Sequence, residues 1–340
     1  MRPAAILSTV LLGCVSLHAA ETSSAEVKKA QPSGYNDSIS LYVENDYSFS
    51  DRYYTNGLKL TYTGEGDDFY TSWLQFKLLR LFTPDKAQAY QTASLGQNMY
   101  VASDIANPNP PTWDRPYAGW LYLDAGAHIA TQNRLDSFTI NLGWVGPQSF
   151  AQQTQKFWHS AIDTTEPMGW NTQIKNEPTI LLSYEQTRRL LRYDMANNFS
   201  TDVLAGAGLD LGNVITQATA RGFWRFGFNM PYSFSPTRID YDSGNAVEWR
   251  PTDASPEWHC FMFGGGAARF VGYNITLNGN TMADSRSVVP KWLVGEGMAG
   301  ISARYKIVQL DLNWTIQTAE FNTQTYQTFM FWTASVRIFF

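Results

Sequence analysis

Hydrophobic and polar residues alternate with a period of two along several stretches of this chain. In Ser38–Glu44, Ile39, Leu41 and Val43 fall on one side and Ser38, Ser40, Tyr42 and Glu44 on the other. In 307–317, Val308, Leu310, Leu312, Trp314 and Ile316 oppose Gln309, Asp311, Asn313, Thr315 and Gln317. In 134–145, Phe138, Ile140, Leu142 and Trp144 oppose Ser137, Thr139 and Asn141, and in 117–130 Leu121, Leu123, Ala125, Ala127 and Ile129 oppose a face carrying Asp124 and His128. Such alternation marks strands whose two faces meet different surroundings. Read along the chain, it predicts strands near 38–47, 54–64, 91–101, 117–131, 134–146, 178–190, 200–211, 218–229, 257–272, 292–304, 307–319 and 328–340. That is about twelve, an even number, as single-chain bacterial barrels have. The fold expected is all-β, a closed antiparallel transmembrane barrel.

An even count puts both termini on one side, the periplasm. The segments 48–53, 102–116, 147–177, 212–217, 273–291 and 320–327 are then extracellular. Segments 65–90 and 230–256 become periplasmic connections of unusual length, and Ser72–Phe82 in the first reads as a short amphipathic helix. A second helix is expected at 150–163 in an extracellular segment. Its apolar stripe of Phe150, Phe157, Trp158 and Ala161 is suited to lie against the barrel wall or against lipid. The last strand presents Met330, Trp332, Ala334, Val336, Ile338 and the C-terminal Phe340 on one face. A final strand ending in Phe resembles the signal read by barrel assembly machinery; a buried edge strand in a soluble β-protein is the alternative.

The first residues read as a signal peptide, 1–20: Arg2, an uncharged apolar stretch from Ala4 to Leu17, then Ala19 and Ala20. Leu11-Leu12-Gly13-Cys14 loosely resembles a lipoprotein box, so processing at Cys14 stays open. Residues 21–37 read as a disordered lead-in, and 38–340 as the barrel. Beyond the signal no stretch reaches the roughly 20 apolar residues of a membrane helix. The chain holds 12 Trp, 18 Tyr and 20 Phe, while charged residues make up only 16%. Many aromatics, few charges and no apolar run suit strands that alternate between lipid and lumen. The net charge of −5 argues against a nucleic-acid partner. With Cys14 removed only Cys260 remains, so no disulfide can form within the chain.

Candidate chemistry is sparse. His128 points to the lumen by parity, near Asp124, and suits a polar lumen network. His259 begins a strand between Trp258 and Cys260 and suits a structural role. His159 differs, because it lies on the predicted extracellular helix, where Asp163 at i+4 could orient its ring. Glu44-Asn45-Asp46 ends the first strand. By parity Glu44 and Asp46 face the lumen and Asn45 faces lipid, where a polar group is costly unless it lies at the rim or under a cover. The chain has no serine nucleophile elbow, zinc spacing or phosphate loop.

These residues resemble a known family. Asn45-Asp46, Asp51-Arg52-Tyr53-Tyr54-Thr55-Asn56-Gly57-Leu58, Gly96-Gln97, Asp114-Arg115-Pro116-Tyr117-Ala118-Gly119, Gly143 to Gly146-Pro147, and the helix with His159 are similar to the LpxR family of outer-membrane lipid A 3′-O-deacylases. The likeness spans nearly the whole mature chain. It implies a twelve-stranded barrel that hydrolyses the 3′-acyloxyacyl ester of lipid A with Ca²⁺. It implies His159 as general base, with Asn45 and Thr55 in the active site. Asp46, with the Glu44 carboxylate or backbone oxygens, becomes the expected Ca²⁺ ligand. The family's active-site lysine has no counterpart in Ala102–Thr112; Asn107 falls about there, and Arg115 on the same loop is the substitute cation. The expected partners are lipid A and the lipids of the outer membrane, with the protein a monomer. The rival from another class is a barrel without catalysis, a channel or structural relative.

Overall fold

The computed structural model describes residues 37–46, 51–66, 77–79, 81, 87–239, 241, 244–250 and 258–340. The signal peptide and most of the lead-in lie outside the described residues. So does most of the 72–82 helix, of which 77–79 are helical.

Twelve strands form one closed barrel: β1 (Ser38–Asn45), β2 (Tyr53–Glu65), β3 (Gln88–Val101), β4 (Ala118–Ala130), β5 (Arg134–Val145), β6 (Glu177–Asp194), β7 (Phe199–Gly212), β8 (Ile215–Phe228), β11 (Trp258–Asn274), β12 (Leu293–Tyr305), β13 (Val308–Thr318) and β14 (Thr328–Phe339). Two short strands, β9 (Tyr232–Ser233) and β10 (Glu248–Trp249), pair only with each other. Every barrel strand coincides with a stretch of alternation, to within a few residues. The last strand is no edge: β14 pairs with β13 on one side and with β1 on the other. The ends of the barrel chain exchange backbone bonds, Asp37 N to Phe340 O at 3.2 Å and Phe340 N to Asp37 O at 3.0 Å. Both ends therefore sit at one rim. The helix α1 (Ala151–Ala161), which follows the fifth strand, sits at the opposite rim.

Burial is inverted relative to a soluble protein. The alternating polar face points into the lumen and is covered, whereas the apolar face is bare. Leu41, Leu60, Leu95, Leu123 and Leu142 are cross-strand neighbours in one row around the wall. Each is between 43% and 62% exposed. A continuous row of exposed leucines is stable only against lipid. This excludes the soluble alternative.

The lumen is held by ion pairs. Lys59 meets Asp124 at 2.9 Å, Arg221 meets Glu185 at 2.7 Å, and Asp202 takes both Arg189 and Arg225, at 3.0 and 2.5 Å. Buried charges persist only when paired in this way. The segment expected to be a long periplasmic connection, 230–256, completes the packing. Its described part folds inward and bridges strands across the lumen. Arg238 bonds Glu296 of β12 at 2.7 Å, Tyr241 accepts from Asn141 of β5 at 3.2 Å, and Asn245 accepts from Arg337 of β14 at 3.1 Å. The excess length is thus a plug rather than a loop.

Candidate active site at the rim away from the termini

Two departures from regular strand geometry build the site. The first is in β2. Tyr54 pairs with Tyr100 and Asn56 with Met99, so Thr55 is an extra residue with no partner on β3. This is a β-bulge, which re-aims a side chain by breaking the alternation. Just before it, Asp51 and Tyr53 adopt positive φ, 59° and 64°. The result is that Tyr54 and Gly57 both face the lumen. Thr55 turns toward Asp51, its Oγ1 donating to Asp51 Oδ1 at 2.8 Å. Asp46 closes the turn by accepting the Arg52 backbone N–H at 2.6 Å, while its own N–H reaches Thr55 O at 3.4 Å.

The second departure is α1, which lies against the outside of the wall. The outward face of the rim carries a row Trp332–Asn45–Asn56–Met99–Gly119 across five strands. At Gly119 the helix start comes so close that an added Cβ would lie 2.2 Å from Ser149 Oγ and 2.3 Å from Ala151 Cβ. Gln97, polar on the lipid side, donates to Ser149 O at 2.6 Å. Trp170 is almost fully buried, donates to Gln155 at 2.8 Å, and packs edge-on to Tyr117. Ala151, Gln155 and His159, spaced by four, are the buried residues of the helix. The aromatic stripe was expected against wall or lipid, and it faces away from the wall: Phe157 is 67% and Trp158 49% exposed. With strands about 4.8 Å apart, Gly119 on β4 is roughly 14 Å from Asn45 on β1. Eight residues of helix from Ala151 span roughly 12 Å. The helix is therefore long enough to carry His159 from β4 across to the bulge.

His159 is 8% exposed. Its Nδ1 lies 2.5 Å from the Thr165 carbonyl. A carbonyl only accepts, so Nδ1 carries the hydrogen and Nε2 is the basic nitrogen. Nε2 faces Asp51 Oδ2 at 3.8 Å. Asp163, expected to orient the ring, is exposed with φ 52°, and the Thr165 carbonyl does that work instead.

The other expected site residues fall in different places. Asn45 lies on the outward row, beside Asn56. Glu44, expected beside Asp46 as an ion ligand, is turned into the lumen. Its Oε2 accepts from Tyr54 Oη at 2.6 Å, and its Oε1 accepts from Ile239 N at 2.8 Å and Thr333 Oγ1 at 2.9 Å. Arg115, the expected loop cation, is 1% exposed. It is paired with Glu320, bonded to Thr276 at 3.0 Å and set over the Tyr100 ring at 4.6 Å, which leaves its guanidinium no surface for substrate. Asn107 stays on the loop, half-buried, accepting from Asn109 N at 2.9 Å. Its loop joins the helix side of the wall, where Ile105 O accepts from Met168 N at 2.8 Å.

Among the described residues no three His, Cys, Asp or Glu side chains are grouped to hold a metal ion. Two carboxylates stand at the turn, Asp46 on Arg52 N and Asp51 on Thr55 Oγ1, with His159 Nε2 the nitrogen facing Asp51. That chemistry suits a hard divalent cation such as Ca²⁺. Sequence reasoning missed Asp51 and Asn56 as site residues. Both stand in the quoted motif, but only the bulge and the row show what they face.

A family model described as Outer membrane protein LpxR matches residues 6–339. The chain belongs to the LpxR family. LpxR from Salmonella typhimurium has the same fold, with TM-score 0.73 and 18% identity over 89% of this chain and 100% of that one. The β domain of the Bordetella autotransporter Brka is matched at TM-score 0.43 and 12% identity, over 90% of this chain and 99% of that one. The translocator domain of the autotransporter NalP from Neisseria meningitidis is matched at TM-score 0.37 and 9% identity, over 90% and 87%. No curated protein matches the chain. As an LpxR-family barrel with a bare apolar belt, the protein resides in the outer membrane.

Proposed function

We propose that this LpxR-family barrel is a lipid A 3′-O-deacylase, hydrolysing the 3′-acyloxyacyl ester at the rim where α1 meets the outer wall. The observation that carries this is the setting of His159. It sits outside the barrel with Nδ1 held by a carbonyl and a basic Nε2 aimed at the Asp51–Thr55 pair. A lipid substrate in the surrounding leaflet would approach that face without entering the lumen. We place this rim at the cell surface and both termini in the periplasm.

His159 Nε2 takes a proton from water as the water oxygen attacks the ester carbonyl. The Asp51 carboxylate faces that nitrogen at 3.8 Å. Thr55 has given its hydroxyl hydrogen to Asp51, so its oxygen is left as an acceptor suited to orienting that water. Asn45, with Asn56 beside it, would supply amide N–H groups to the carbonyl oxygen. As the tetrahedral adduct collapses, the C–O bond to the sugar breaks and His159 returns its proton to the sugar 3′-oxygen. Calcium, held by Asp46 and Asp51, would polarise the ester carbonyl. The exposed Phe157 and Trp158 of α1 would lie among acyl chains.

The plug supports a hydrolase over an open channel, because Arg238, Ile239, Tyr241 and Asn245 tie it to β12, β1, β5 and β14 across the lumen. The test is mass spectrometry of lipid A from cells making wild type or His159→Ala, with and without a calcium chelator. Wild type is expected to remove a 3′-linked acyloxyacyl mass, and His159→Ala to be slower by roughly 10²- to 10⁴-fold. Unchanged lipid A from folded wild-type barrel would mean a non-catalytic relative.

A further inference from the structure

Glu44 stands one residue before Asn45, and Tyr54 one before Thr55, yet both turn into the lumen. There Tyr54 Oη donates to Glu44 Oε2 at 2.6 Å. Glu44 Oε1 accepts from Thr333 of β14 and from the backbone N–H of Ile239, at 2.9 and 2.8 Å. Ile239 belongs to the plug. Three successive plug residues are each fixed to the wall: Thr237 O accepts from Asn313 of β13, Arg238 pairs with Glu296 of β12, and Ile239 holds Glu44 of β1. Gly57 completes the arrangement. A Cβ there would lie 2.1 Å from Tyr54 Oη and 2.9 Å from Ile239 Cδ1. The glycine of the Tyr-Thr-Asn-Gly run thus leaves room for the hydroxyl and the plug together.

We infer that the plug positions the reaction site from inside the barrel, through a clamp of Ile239, Glu44 and Tyr54 that fixes the bulge presenting Thr55 to His159. The inference rests on the hydrolase reading, and Glu44 and Tyr54 are positioning residues that touch no substrate. A bulge is a register choice, and a one-residue slip would turn each side chain of β2 to the other face. Ring packing of Tyr54 on Tyr100 at 5.4 Å and on Phe331 at 5.2 Å holds the ring, but it is not directional. The bond to a buried carboxylate is directional and strong. It also supports the left-handed backbone at Tyr53, a conformation that persists only when its surroundings over-determine it.

The deciding variant is Tyr54→Phe, which keeps the ring and removes the hydroxyl. Lipid A deacylation and amide hydrogen exchange are measured on purified barrel that still shows the heat-dependent gel migration of a folded one. We expect kcat to fall roughly tenfold or more with KM unchanged, since misplacing a reacting group by about 1 Å is that costly. Exchange over 51–57 becomes faster, while exchange over 118–130 does not. Gly57→Ala reproduces the defect, because its methyl would meet both the hydroxyl at 2.1 Å and Ile239 Cδ1 at 2.9 Å. Unchanged kcat with unchanged exchange over 51–57 overturns the clamp, and so does a change confined to KM. If wild type itself leaves lipid A intact, the hydrolase reading fails. The exchange comparison then decides the clamp alone: faster exchange supports it and equal exchange overturns it.

Discussion

Two rows of residues cross the outer wall of the barrel four positions apart. One runs Leu41, Leu60, Leu95, Leu123 along β1 to β4; the other runs Asn45, Asn56, Met99, Gly119 along the same strands. Both obey the same alternation and both point outward. The first is bare and made only of leucine, as lipid contact demands. The second, roughly 13 Å nearer the rim, sets two asparagines on β1 and β2 beside Met99 and Gly119 on β3 and β4, and its β3–β4 half is roofed by the helix. What changes between them is the covering element, not the strand. An outer-membrane barrel can therefore build chemistry on its lipid side when a rim segment folds back over the wall. That tolerates a polar outward residue such as Gln97, which a bare wall would reject.

The sharpest way to break this difference is to make the rim row resemble the leucine row. Asn45→Leu is nearly isosteric and suits the outward face. The barrel should fold as well as wild type, whereas deacylation of lipid A should fall roughly 10²- to 10³-fold, the usual cost of removing one oxyanion donor. Retained activity would show that the polar row is only a rim feature. A smaller effect is expected where the roof meets the wall. Gly119→Ala places a methyl 2.3 Å from Ala151 Cβ, so the start of α1 must lift. His159 lies eight residues along and shifts with it. A loss of roughly tenfold to 10²-fold in kcat is expected, with the folded gel migration unaltered. Unimpaired turnover would mean that the helix seats itself independently of Gly119.

The two rows also mark how much of this protein can be read from its sequence. The strands are legible because a barrel writes its two surroundings into alternate residues, and the even count puts both termini at one rim, where β1 and β14 pair to close it. The same parity puts Asn45 outward and Glu44 inward. It fails at Thr55, because a bulge is a property of the pairing between β2 and β3 and leaves no mark on β2 alone. Arg115 has its partner Glu320 205 residues away, so its loop position looked exposed when it is not. The plug is illegible for a related reason. Segment 230–256 has no period, and its partners Glu44, Asn141, Glu296, Asn313 and Arg337 lie on five separate strands. Its one signal was length, an excess that a plain turn does not need.

The smallest effect tests the detail in which spacing and structure disagree most directly. Asp163 is placed at i+4 from His159, the distance at which helix side chains meet. The helix ends at Ala161, however, and Asp163 has already left it in a left-handed conformation. Its carboxylate is exposed, while Thr165 O holds Nδ1. Asp163→Asn keeps the left-handed preference and removes only the charge. Activity should change by less than about twofold, since nothing that fixes the ring tautomer is altered. A tenfold loss in kcat, with the barrel folded, would show that Asp163 reaches His159 during turnover. The carbonyl would then be a resting partner, and the covered row would owe its base to a side chain that sequence spacing had already indicated.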